Sequence, residues 1–402
     1  MWLRSQRLLI LSLISLVIVL AGSVLAGGRA NATEQPPILI GLDAEFSHPT
    51  STSAVAIERG IQLAIAEVNE AGGLLGGRRL ALLASDNRAV AARSVANVEA
   101  LAENPNVVAL FCGRFSPVVV EAIPTVQRRQ IPLLDPWAAA DDIVDNGGSP
   151  NYVFRLSMRD SWAVAAMMRH ANGLGLRRIG LLLPNTTWGR STVTAVEAFV
   201  RDHKSVSVVG TEWYHWGDKT LLAQYRRLVE QGMELLVLTA NQDEGSTLVR
   251  EIAALPEAER RPIVSHWGIA GGDFVAMAGP ALHQIDFKVV HPFSMAEADP
   301  RRFAPVAERA RRLLGVDGLA TMPSGVGFAN AYDLTHILAK AITLAGTTDR
   351  RAVRDALERV PSYSGLVADY APPFTATRHE ALGPERVFVG RFRPDGSLVR
   401  VR

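Results

Sequence analysis

The sequence predicts an α/β protein of two lobes, each a mostly parallel sheet flanked by helices. Three observations lead there. From Ile38 to Asn87 the chain reads strand, polar loop, amphipathic helix, glycine turn and strand, which is the order of a βαβ unit. The same alternation continues to Ser265 and fits strands laid side by side with helical crossovers. Finally, 402 residues with 48% hydrophobic and 20% charged side chains are ordinary globular composition. That length serves two cores of roughly 150 to 200 residues each.

The elements follow in order. In the first helix Ile57, Ile61, Ala64, Ile65 and Val68 recur at helical spacing, with Glu58, Arg59, Glu67 and Glu70 opposite, so one face is made to pack on a sheet. Gly72 and Gly73 end it where positive φ is needed, and residues 80–84 resume as an apolar run of parallel-strand type. A helix over 89–103, strand Val107–Cys112, a helix over 117–129 and a strand over 131–135 complete a first array. The pattern restarts with helices expected over 161–173, 190–203, 219–231 and 244–255. Strands over 179–184, 206–212, 235–239 and 263–265 alternate with them. Helices over 301–314, 326–345 and 350–359 come next, and residues 365–402 read as short strands closing the second lobe. Pro292, Pro300, Pro305 and Pro323 make 290–323 the least regular stretch.

Composition excludes several function classes. Arg4 and Arg7 precede an uncharged apolar run from Leu8 to Leu25, and Ala30-Asn31-Ala32 fits a small-x-small cleavage site, with Val24-Leu25-Ala26 an earlier one. Residues 1–32 are therefore expected to be a secretory signal peptide, an uncleaved membrane anchor being the alternative. The formal charge of +2 overstates the exported part, because Arg4, Arg7 and Arg29 lie in that segment and no acid does. Without them the 42 basic residues fall one short of the 40 acidic ones. With no basic stripe interleaved with aromatics, nucleic acid is not an expected partner. The single cysteine, Cys112, lies in an apolar strand, forms no internal disulfide and is expected to be a buried, inert thiol. No G-x-S-x-G, H-E-x-x-H, P-loop or clustered metal-ligand pattern is present, so neither an enzyme nor a cofactor or metal site is expected.

The segments IGLDAEFS, AEVNEAGGLLGGRRL and LLASDN resemble the start of the periplasmic binding proteins of the branched-chain amino acid type, the type I "Venus flytrap" family. The resemblance continues through 107–136, 152–160, the region of Trp188-Gly189 and 329–345. It implies chain crossings near 152–155 and near Val289-Val290, hence one lobe of 33–155 with 291–361 and another of 156–290 with 362–402. It further implies a protein in the periplasm of a Gram-negative-type envelope that binds a small-molecule solute between its lobes and passes it to an ABC transporter permease in the inner membrane. A ligand sensor on the same fold is the alternative.

Ligands of open parallel sheets lie outside the carboxyl ends of the strands, which directs attention to six loops. After Cys112 come Arg114, Phe115 and Ser116, with Ser116 placed as an N-cap and Pro117 as first helical residue. Free N–H groups and a hydroxyl are thereby expected to face the crevice, and the family uses this serine-bearing loop for ligand contact. After Asp135 come Trp137, Ala138 and Ala139, where relatives have a hydroxyl residue that this chain lacks. Trp188 matches a stacking position of the family; Asn241 and Asp243 stand in the loop where amino-acid binders present a tyrosine. Trp267 stands where they present an acid. An ammonium buried without a carboxylate is costly, so an ordinary α-amino acid is not the expected ligand. Trp137, Trp188 and Trp267 suggest instead an aromatic-walled site for a planar, apolar or cationic solute. The first loop, Glu45 to Thr50, replaces the T-G turn of relatives and offers Phe46 to the ligand.

Overall fold

The computed structural model describes residues 35–401. The expected signal segment 1–32 lies outside the described residues. None of the described helices is long and apolar enough to cross a membrane.

Two sheets carry the architecture. The first contains β1 (Ile38–Ala44), β2 (Leu80–Asp86), β3 (Val107–Cys112), β4 (Leu133–Asp135) and β5 (Val153–Arg155) in the order β2-β1-β3-β4-β5. Every neighbouring pair in it is parallel. Parallel neighbours require crossovers, supplied here by α1 (Ser53–Glu70), α2 (Ala91–Glu103) and α3 (Ser116–Arg129). All six residues of β3 are buried, as a strand covered on both faces demands.

The second sheet takes α4 (Asp160–Gly173), β6 (Arg178–Pro184), α5 (Thr187–Asp202), β7 (Ser207–Tyr214), α6 (Leu222–Glu230), β8 (Leu235–Leu238), α7 (Gln242–Ala253), β9 (Ile263–Ser265), the short α8 (Phe274–Ala278) and β10 (Phe287–His291). Its strand order, with β13 (Phe388–Phe392) and β14 (Leu398–Arg400) from the end of the chain, is β14-β13-β10-β9-β8-β6-β7. The five strands β6 to β10 pair in parallel, and the last two strands of the chain add to β10 antiparallel.

After β10 the chain returns to the first sheet with α9 (Pro300–Leu314), α10 (Gly325–Ala345) and α11 (Arg350–Leu357). Two contacts fix that return. Arg350 donates to the carbonyls of Val107 and Asn104 at 2.9 Å each, tying α11 to the start of β3. In α1, a Cβ built on Gly60 would stand 2.2 Å from the carbonyl oxygen of Phe328, so only glycine lets α1 and α10 approach this closely.

The closing segment divides, which the sequence reading did not anticipate. Strands β13 (Phe388–Phe392) and β14 (Leu398–Arg400) extend the second sheet as expected, whereas the hairpin β11 (Tyr363–Ser364) and β12 (Asp369–Tyr370) forms a separate ladder against α10. The cause is buried Asp333 of α10, which accepts from the backbone N–H groups of Leu366 and Val367 and from the hydroxyl of Tyr370 at 2.7–2.9 Å. Nearby, Arg155 makes a buried two-pronged pair with Glu380 at 2.9 and 2.6 Å. Residues 363–382 therefore pack against the first sheet's elements.

Candidate functional site

The carboxyl ends of both sheets face each other, and the loops leaving them meet in a small chamber. Arg114, Phe115, Ser116, Trp137 and Ala139 reach it from the first sheet. Trp188, Trp216, Asn241, Trp267 and Gly268 reach it from the second. Side chains nearly fill it, leaving a cavity volume of about 10 Å³, room for about one water, so a solute enters only as the loops part.

Arg114 spans the two sides. Its guanidinium donates to Asn241 Oδ1 at 3.1 Å, to the carbonyl of Gly268 at 2.9 Å and to Gln242 Oε1 at 2.9 Å. Glu45 Oε1 stands 3.8 Å from Nε on the first-lobe side. Burial lowers the guanidinium pKa to about 10, and Glu45, Asp243 and Glu244 oppose that fall, so the cation persists at neutral pH. The fork also lies over the ring of Phe115, 4.4 Å from its centroid.

Aromatic rings form the walls. Trp137 and Trp267 pack across the lobe interface with centroids 5.3 Å apart, and Phe115 packs on Trp216 at 5.1 Å. Trp188 stands edge-on to His266 and donates its indole N–H to Asp160 Oδ1 at 3.1 Å. A Cβ on Gly189 would lie 2.0 Å from the carbonyl oxygen of Pro184, so the start of α5 sits hard against the end of β6 and Trp188 is held rigidly.

Loop chemistry differs from expectation at four residues. Ser116 does not cap its helix: Phe115 holds the cap position, and the Ser116 hydroxyl accepts from the N–H groups of Ala139 and Ala140 at 3.2 Å each. Of the helix-start N–H groups expected to face a ligand, those of Val118 and Val119 go to the carbonyl of Phe115 at 2.9 and 3.1 Å. The Ser116 O–H proton has no acceptor among the described residues. Ala138 is withdrawn from the chamber as well, because its N–H goes to Asp135 Oδ1 at 2.7 Å and its carbonyl to Arg155 at 3.2 Å. Phe46 packs against the hydrophobic core rather than lining the chamber, because buried Glu45 takes the inward place in that turn. Asp243, already in the first turn of α7, lines the outer mouth and accepts from Thr50 at 2.5 Å.

That mouth is wider, with a cavity volume of about 560 Å³ among His48, Thr50, Phe115, Trp216, Asp243 and Glu244. His48 stacks obliquely on Phe115, and burial followed by Arg114 holds its pKa below the usual imidazole range. Cys112 is buried under the chamber, where desolvation pushes its thiol well up. Such a thiol is inert.

Sequence reasoning missed Trp216, Gln242, Glu45 and Asp160. Trp216 had a signal: it follows a strand end, but β7 runs to Tyr214 rather than 212 and so moves the loop two residues on. Gln242 was read as loop, whereas it opens α7.

The residues from 37 to 396 match the family model for periplasmic binding proteins. The chain belongs to the periplasmic binding protein family. This periplasmic binding protein is 21% identical to a Leu/Ile/Val-binding protein homolog 2 of Brucella abortus over 94% of its length and 96% of the relative's. Among solved structures it is similar to a periplasmic binding protein type 1 of Bordetella pertussis, with TM-score 0.81 and 22% identity over 91% of this chain and all of that one. It is also similar to a solute-binding protein of R. palustris in complex with 4-hydroxybenzoate, with TM-score 0.75 and 16% identity over 91% and 95% of the two chains. The two-lobed type I fold is common to these structures. Family members are solute-binding proteins, and this chain is accordingly a binding protein and not an enzyme.

Proposed function

We propose that this periplasmic binding protein captures a small aromatic carboxylate, or a planar apolar solute with an equivalent acceptor group, and delivers it to the permease of an ABC-type importer. One observation carries the ligand class: the polar groups left open on the chamber are donors. They are the Ser116 hydroxyl proton and the buried indole N–H of Trp216, the latter without a hydrogen-bond partner. The Asn241 side-chain oxygen is already taken by Arg114, and Trp267 stands where an acid would receive an ammonium. A ligand that brings an acceptor between aromatic faces satisfies these donors; a zwitterionic amino acid leaves its cation unpaired. The 4-hydroxybenzoate of the R. palustris neighbour is a solute of that chemistry.

Contacts to both lobes exist together only when the lobes are closed, so such a ligand biases a hinge equilibrium that a permease can read. Trp137, Trp188, Trp216 and Trp267 make intrinsic fluorescence the natural assay. Benzoate and 4-hydroxybenzoate are expected to give a saturable change, and Trp216→Phe to weaken their binding about five- to tenfold through one lost hydrogen bond. Tighter binding of leucine or isoleucine than of either benzoate would defeat the proposed ligand class.

A further inference from the structure

A second space lies near the chain crossing, separate from the chamber. Trp267, whose ring packs on Trp137, also meets the ring of His291 at 5.5 Å. Past His291, the last residue of β10, a groove with a cavity volume of about 90 Å³ opens among Phe274, Phe293, Met295, Met322, Phe392 and Leu398. The polar groups around it are nearly all engaged. Ser294 donates to the carbonyl of Leu398 at 2.6 Å, Ser324 donates to that of Ala270 at 3.2 Å, and Asp273 accepts from the N–H of Ala276 at 3.3 Å.

His291 is the buried exception. Its ring is 4% exposed and lines the groove. Nδ1 lies 2.7 Å from the carbonyl oxygen of Phe293, so Nδ1 carries the proton. Nε2 has no hydrogen-bond partner among the described residues. Burial lowers the imidazole pKa to about 4, which keeps the ring neutral near pH 7 and leaves Nε2 a lone-pair acceptor.

We propose that this groove is a second binding site, for a small neutral molecule with an aromatic or apolar body and one hydroxyl or N–H donor, which meets His291 Nε2. The apolar walls supply affinity by burial, and the single acceptor sets orientation. Asp273, exposed at the rim with one carboxylate oxygen unbonded, repels anions, so an anionic solute finds no partner there. Ala270 and Ser324 come from opposite sides of the lobe interface, so an occupant touching both favours the same closed arrangement as the chamber ligand. Trp267 is the physical link between the two sites.

Phenol and toluene, titrated into the exported full-length chain by calorimetry or ligand-observed NMR, test the assignment. Phenol is expected to bind saturably and about five- to tenfold more tightly than toluene, the worth of one hydrogen bond. His291→Phe keeps a ring and is expected to erase that difference. Met322→Trp, at the half-buried rim, is expected to block both probes and decides the matter if the histidine variant does not fold. Saturating benzoate, the ligand proposed for the chamber, is expected to leave phenol binding intact. Absence of saturable phenol binding, indifference to Met322→Trp, survival of the phenol preference in folded His291→Phe, or displacement of phenol by saturating benzoate would each overturn the second site. The last outcome would place phenol in the chamber and leave the chamber reading standing.

Discussion

Replacing Arg114 by alanine removes the side chain that joins the lobes most directly. Three hydrogen bonds from its guanidinium cross the interface, at 3.1, 2.9 and 2.9 Å, to Asn241, Gly268 and Gln242. Each such hydrogen bond contributes about 0.5–1.5 kcal/mol net of its exchange with water. Water recovers the guanidinium when the lobes part, and Glu45 at 3.8 Å stays with it on the first lobe, so neither term favours closure. The net contribution of the three bonds is then about 2–4 kcal/mol, equivalent to roughly 30- to 1000-fold in the closing equilibrium. Arg114→Lys, with one compact ammonium in place of a planar fork, keeps the charge and about one of the three bonds, so it is expected to fall between wild type and alanine. Donor and acceptor dyes at the exposed positions Glu103 and Glu230 report the lobe separation. An unchanged separation in Arg114→Ala, or equal values for the alanine and lysine variants, would refute the clamp.

Two other consequences are measurable. Burial raises the Asp333 carboxyl to about pKa 6 against the Val367, Leu366 and Tyr370 hydrogen bonds that lower it. The native state therefore holds this proton where the unfolded chain, with its pKa of 3.8, has lost it. Stability from this group falls as pH rises from about 4 to 6, by up to about 3 kcal/mol. The destabilisation caused by Asp333→Asn, followed by denaturant unfolding, should thus be largest near pH 4 and shrink towards pH 7; a pH-independent difference contradicts the assignment. Gly60→Ala sets two effects against each other. Helix propensity favours alanine by about 1 kcal/mol, while a Cβ 2.2 Å from the rigid Phe328 carbonyl forces α1 and α10 apart. Overpacking of that kind costs about 1–3 kcal/mol or more, so thermal unfolding should shift down by several degrees; an equal or higher Tm shows that the helices accommodate the methyl.

Much of the fold was legible because its signals are local. Ile57, Ile61, Ala64 and Ile65 are buried in α1 as their spacing requires, and the uninterrupted apolar run of Val107–Cys112 is a fully buried strand. The pairs β1/β2 and β1/β3 lie parallel as strand-helix alternation implies. Site residues were legible in part for a similar reason: chemistry in these sheets gathers at strand ends, and Arg114, Ser116, Trp137, Trp188, Asn241 and Trp267 all stand at such ends and border one chamber. What they do there was not legible. Whether the Ser116 hydroxyl caps a helix or accepts from Ala139 and Ala140 depends on the loop after β4, more than twenty residues away in sequence.

Periodicity, strand-end position and loop composition are properties of short stretches, so the sequence alone determined the α/β class, the alternation of elements and the shortage of acids among the aromatic loops. Tertiary structure decided what depends on distant partners. Arg114 finds its acceptors 127 and 128 residues further along the chain, Asp333 draws the 363–382 segment away from the second sheet, and His291 is left with one unengaged nitrogen in an apolar groove. Each outcome rests on which buried polar groups meet a partner, and no local pattern records that balance.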